Sequence, residues 1–213
     1  GMTEGTYTIV ADSAGCKVNM NGSIAVTKNS LPIDYGFTAS SSSYCADING
    51  VTLTLANSQS GISYQLQESG SNDGTALSGN GGALQWNNKI AGDYTVIATN
   101  PATTCNITIT DNPVITIDPL PAVFNVSGPA AYCNGSSVTI NLSGSENLVN
   151  YQLWKTGVTE GVAKPGDGNP VDWTGMTAGT YTIVANDGTC DVDMNGSVVV
   201  QENSLPTLYT LTA

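Results

Sequence analysis

The sequence predicts an all-β chain of tandem immunoglobulin-like β-sandwich repeats, each about 87 residues long. Three observations carry this. The composition suits short strands and turns, apolar and polar residues alternate, and one set of residues returns at a fixed period.

Composition comes first. Charged residues are only 10% of the chain, and runs of helix formers are missing. Thr, Val, Ile and Tyr suit a pleated, half-buried surface, while 24 glycines and many asparagines suit turns. Many short strands are therefore expected.

The period is the strongest signal. Gly5-Thr6-Tyr7-Thr8-Ile9-Val10-Ala11 returns as Gly92-Asp93-Tyr94-Thr95-Val96-Ile97-Ala98 and as Gly179-Thr180-Tyr181-Thr182-Ile183-Val184-Ala185. The three tyrosines are 87 residues apart. Tyr64-Gln65-Leu66 returns as Tyr151-Gln152-Leu153, Trp86 as Trp173, and Tyr44-Cys45 as Tyr132-Cys133. A Leu-Pro pair marks each boundary: Leu31-Pro32, Leu120-Pro121 and Leu205-Pro206. The frame is then 1–32, the C-terminal part of a truncated repeat; 33–118 and 119–205, two whole repeats; and 206–213, the first strand of a next one. The chain is expected to be a piece of a longer array, with Gly1-Met2 an expression remnant. The hairpin expected over 1–32 has an open edge. We expect the first whole repeat, or residues 206–213 of a neighbouring molecule, to cover it.

Alternation places the strands. Val138, Ile140 and Leu142 face opposite to Thr139 and Asn141; Val51, Leu53 and Leu55 face opposite to Thr52 and Thr54. In the second repeat, strands are predicted near 123–128, 137–143, 149–155, 160–164, 170–175, 179–186 and 195–202. Seven short strands in under 90 residues fit two sheets sharing one core. The Gly-x-Tyr at the start of the sixth strand resembles a tyrosine corner, whose ring is buried and whose hydroxyl bonds nearby backbone. Trp86 and Trp173 are expected in the core or at its edge. Trp154 lies in phase with the outward Gln152 and is the candidate surface contact for a sugar or a protein. Packing against an adjacent loop is its competing role.

Each whole repeat has one cysteine before its second strand, Cys45 or Cys133, and one after its sixth, Cys105 or Cys190. Cys16 matches the later position of the truncated repeat. Pairing within repeats, Cys45 with Cys105 and Cys133 with Cys190, is the simplest assignment. Geometry opposes it: the second and sixth strands run the same way, which places these positions on the order of 20 Å apart, whereas a disulfide needs Cα atoms within about 7 Å. Back-folded loops, a bond between repeats (Cys45 with Cys190) and free thiols all stay open. Paired cysteines in small β modules imply an oxidising, extracellular setting.

Several functions are excluded by residue type. A net charge of −12 leaves too few cations to neutralise phosphates, so no nucleic acid is expected as partner. With no histidine, Ser-His-Asp and Cys-His catalysis is absent. Neither a phosphate-binding nor a dinucleotide fingerprint occurs, and no cofactor is expected. Without His or Cys-x-x-Cys no metal site is expected. Gly166-Asp167-Gly168-Asn169 is like a Ca²⁺ loop in composition but lacks its ligand spacing. No apolar run reaches membrane-span length.

Tyr132-Cys133-Asn134-Gly135, then Tyr151-Gln152-Leu153-Trp154, then Ala178-Gly179-Thr180-Tyr181-Thr182-Ile183-Val184-Ala185-Asn186 with Cys190 shortly after, form a recognisable series. It resembles the immunoglobulin-like repeats of very large Bacteroidetes surface proteins, including gliding-motility adhesins of the SprB type. The resemblance implies a non-catalytic structural or adhesive segment at the cell surface or secreted. Its partners would be neighbouring repeats of the same chain and a surface glycan or protein. The alternative function is a carbohydrate-binding accessory module of a secreted enzyme or surface complex, using Trp154, Trp173 and Tyr209.

Overall fold

A computed structural model describes residues 1–210. It is all-β: every regular element among those residues is a strand. These residues divide into two compact units, one formed by 1–42 and 50–116, the other by 43–49 and 117–210.

The core of the first unit follows from alternation. In Val51–Leu55 the odd residues are buried and the even ones half-buried, and Gly92–Thr99 buries Tyr94, Val96 and Ala98. Val51–Leu55 is the middle strand of one sheet, between Phe37–Ala39 and Leu84–Lys89. Gly92–Thr99 is central in the other, with Ser63–Glu68 and then Leu77–Ser78 on one side and Val114–Asp118 on the other. Phe37 and Trp86 meet edge to face across the first sheet, 5.9 Å between centroids.

The second unit repeats this plan. Val126–Ser127, Val138–Leu142 and Val171–Met176 form one sheet. In the other, Ala131–Cys133, Val198–Asn203, Gly179–Asn186, Asn150–Lys155 and Val158–Pro165 lie side by side in that order. One apolar cluster takes Ile140, Leu142 and Trp173 from the first sheet and Tyr151, Leu153, Tyr181 and Ile183 from the second. Two sheets sharing one dry core, with this strand order, are an immunoglobulin-like sandwich.

Two details depart from the expected strands. Ala131–Cys133 is an extra strand of three residues, paired in parallel with Val198–Asn203. The strand expected at 195–202 runs over Val198–Asn203, and a further short strand, Asp191–Asp193, precedes it. The break falls at Asn195-Gly196, where Gly196 has φ 89°, a conformation that glycine adopts without a Cβ clash.

Residues 1–32 form two small antiparallel pairs, Gly5–Tyr7 with Ile24–Val26 and Val10–Ser13 with Cys16–Asn19. Gly5 opposes Val26 as Gly179 opposes Val200, and Val10 opposes Asn19 as Val184 opposes Asp193. Residues 5–26 therefore pair in the same register as residues 179–200. The expectation that the first whole repeat covers their edge is corrected: among the described residues these strands pair with one another and with no strand of that repeat. Ser63–Glu68, the kind of strand that would cover it, is already bonded to Gly92–Thr99.

Candidate functional site

The cross-link is the most distinctive chemical feature. Cys45 and Cys190, 145 positions apart in sequence, form a disulfide with Cα atoms 5.7 Å apart. Both belong to the second compact unit. Pairing within repeats is thereby corrected: Cys105 and Cys133 are free thiols, as is Cys16. The reason is strand direction. Cys133 lies opposite Asn203, just beyond Val200, which opposes Gly179. Cys190 follows Asn186 at the far end of that same strand. The eight residues of this strand set its two ends on the order of 20 Å apart.

A tight turn presents Cys190. The Asp187 carboxylate accepts the Thr189 N–H at 2.8 Å and the Cys190 N–H at 2.7 Å. These backbone donors hold its pKa below the usual value; the Cys190 bond is the larger cause. Gly188 N–H donates to Asn186 Oδ1, and Asn186 Nδ2 donates to Asp191. Cys190 is fully buried while Cys45 is half-buried. The sequence marks Asn186-Asp187-Gly188 as a turn, but nothing in it shows that Asp187 aims the cysteine.

Near this turn, Asp47, Asp191 and Asp193 line a shallow cleft with Leu120, Val184 and Val192. Among the described residues, no three His, Cys, Asp or Glu side chains come together as a metal site. In the Gly166–Asn169 loop, Asp167 is used locally: its carboxylate accepts the Asn169 N–H, and Ser145 Oγ donates to the Asn169 carbonyl.

The repeated tyrosines are structural. Tyr7, Tyr94 and Tyr181 each donate their hydroxyl to the carbonyl four residues back, Thr3, Ile90 and Thr177, at 2.7, 3.0 and 2.7 Å. These are tyrosine corners. Trp86 and Trp173 are buried, with Lys164 Nζ 5.5 Å above the Trp173 ring. Trp154 is half-buried, and its indole N–H is shielded from water. Tyr209 is exposed. The structure thus brings Cys45 and Cys190 together, while Trp154, Cys105 and Cys133 join no common site.

No protein-family model matches this chain, and no curated protein sequence matches it. Solved structures do match. The human OSCAR ligand-binding domain is 14% identical over 80% of this chain and 100% of its own, with a TM-score of 0.35. The Clostridium thermocellum CbhA fibronectin(III)-like modules are 9% identical over 78% and 95%, at 0.41. Murine CEACAM1b is 11% identical over 79% and 100%, at 0.37. The assignment of the fold rests on the strand pairings and the core described above.

Proposed function

We propose that this chain is a structural and adhesive repeat segment of a large cell-surface or secreted bacterial protein, without catalysis, akin to the Bacteroidetes repeats it resembles. The observation that carries this reading is what the period repeats. Tyr64 and Tyr151, Trp86 and Trp173, and Tyr94 and Tyr181 are all core residues. The 87-residue unit therefore multiplies scaffold, and with it length, rather than a reactive site. The disulfide supports an extracellular location, because such bonds persist in oxidising compartments.

Single-molecule stretching from end to end tests the spacer role. In the oxidised chain, the segment between Cys45 and Cys190 is shielded from tension. Reduction should lengthen the fully extended chain by about 500 Å, at about 3.5 Å for each of the 145 residues released. A glycan array supplies the opposing outcome: binding of a defined sugar that is lost in Trp154→Ala replaces the spacer reading with the carbohydrate-binding one.

A further inference from the structure

The disulfide decides which residues carry a pull on this chain. Load arriving at Cys45 crosses to Cys190 through the bond, so residues 46–189 hang from it as a closed covalent loop. Most of both apolar cores lies in that loop: Tyr64, Leu66 and Tyr94 in the first unit, Ile140, Tyr151 and Tyr181 in the second. The runs that stay under load flank the two cysteines, and each is also a strand of a sandwich. The cores therefore survive a pull only if these runs can bear it without leaving their sheets.

The run after Cys190 lies along its neighbour. Asp191 opposes Asn186 and Val200 opposes Gly179, and both strands of the run are antiparallel to Gly179–Asn186. Nine residue steps, Asp191 to Val200, thus follow seven of the unloaded strand, Asn186 to Gly179, which leaves a slack of two residues, about 7 Å. Taking up that slack is a slip of two residues, which keeps each side chain on its own face of the sheet. After that the covalent backbone of the run is taut and carries the load. Its hydrogen bonds to Gly179–Asn186 stand across the pull and share any residual strain together. Parallel pairing with Ala131–Cys133 holds Val198–Asn203 on its other side.

The run before Cys45 is held in the same manner. Phe37–Ala39 is antiparallel to Val51–Leu55. The ladder continues at both ends, where Ala56 N–H donates to Gly36 O and Ser40 N–H to Thr52 O, each at 2.8 Å. On the other side the Asp111 carboxylate accepts the Phe37 N–H at 3.0 Å, and Thr116 N–H donates to Ser42 O at 3.0 Å. Residues 1–26 are the contrast: Gly5 opposes Val26 at the open end of the pair, so a pull separates its bonds one after another.

We propose that the oxidised protein bears tension with both cores folded. The two taut runs and the disulfide carry the load, and residues 46–189 keep their folded surface, Trp154 included, on display under pull. This rests on the spacer reading above, since a spacer is pulled from its two ends.

A force clamp on the full chain tests it. The oxidised protein is held at a force at which Cys45→Ser unfolds within seconds, and dithiothreitol is then added. If the cores have stayed folded, cleavage hands the load to intact sandwiches. The chain should then lengthen in separate, delayed steps that together reach about 500 Å, at about 3.5 Å for each of the 145 residues. The delays should match those of Cys45→Ser, and the steps should not change with the length of the hold before reductant. Should Cys45→Ser fail to fold, wild-type chain reduced before stretching supplies the delays. A single jump of the whole length at cleavage overturns the proposal, because the cores had already come apart. So does a loss of steps as the hold is lengthened. Either result leaves the spacer reading standing, since the bond has still borne the load.

Discussion

The smallest units that matter here are single polar groups that hold chain turns. Asp187 is exposed, yet its carboxylate gathers two backbone N–H groups and sets the turn that carries Cys190. Its pKa is lowered in the folded protein from the usual 3.8. A lowered carboxyl pKa means that the folded state favours the ionised form. Its contribution to stability is therefore present above about pH 4 and lost as pH falls through the folded value. We expect Asp187→Ala to lower the melting temperature at pH 5 and to have a clearly smaller effect at pH 2. Melting curves of both proteins at the two pH values check this, and an effect that grows on acidification would refute it. The tyrosine corners belong to the same scale. They were legible in the sequence because Gly-x-Tyr occurs three times in one period, whereas Asp187 has no counterpart that would have marked it.

At the scale of strands and loops, backbone approach decides what is tolerated. Gly79 and Gly166 are one period apart and do the same thing. A Cβ on Gly166 would lie 2.1 Å from Glu146 O and 2.9 Å from the Tyr151 ring; on Gly79 it would lie 1.9 Å from Gln59 O and 3.0 Å from the Tyr64 ring. Each glycine lets its loop close over a buried tyrosine, whose hydroxyl accepts the Glu146 or Gln59 N–H. Gly166→Ala is expected to cost about 1–3 kcal/mol, since the backbone must yield. Gly168→Ala meets no atom within 4 Å but sits at φ 88°, so about 1 kcal/mol is expected there. Urea denaturation of the two variants should rank them in that order. Alternation made the long strands readable: Val138–Leu142, Asn150–Lys155, Val171–Met176 and Gly179–Asn186 lie within a residue or two of their predicted limits. Ala131–Cys133 was not readable. Three residues are too short to show a period, and the strand exists only because Val198–Asn203 offers it a parallel edge.

For the whole chain, the period made the sandwich legible, but the cross-link was settled by three-dimensional direction. Pairing within a repeat fails because the position before the second strand and the position after the sixth lie at opposite ends of the sandwich, so Cys133 and Cys190 are held apart by the strand between them. The covalent bond instead joins Cys190 to Cys45, a residue displaced by more than one period and enclosed in the same compact unit. Its energetic reach follows from loop closure. Unfolding the second unit alone frees a shorter loop than the full 145 residues, but the entropy depends only on the logarithm of length. The bond then contributes about 4–5 kcal/mol in the chain-entropy limit, above the typical 2–4 kcal/mol. Both cysteines belong to the second unit, so the loss should be local. In Cys45→Ser, or after reduction, amide exchange should accelerate by about 30-fold or more in Gly179–Asn186. Gly92–Thr99, in the first unit, should exchange as before. Equal acceleration in both strands would mean that the two units unfold as one, and no acceleration in either would mean that the bond does not constrain the chain at all.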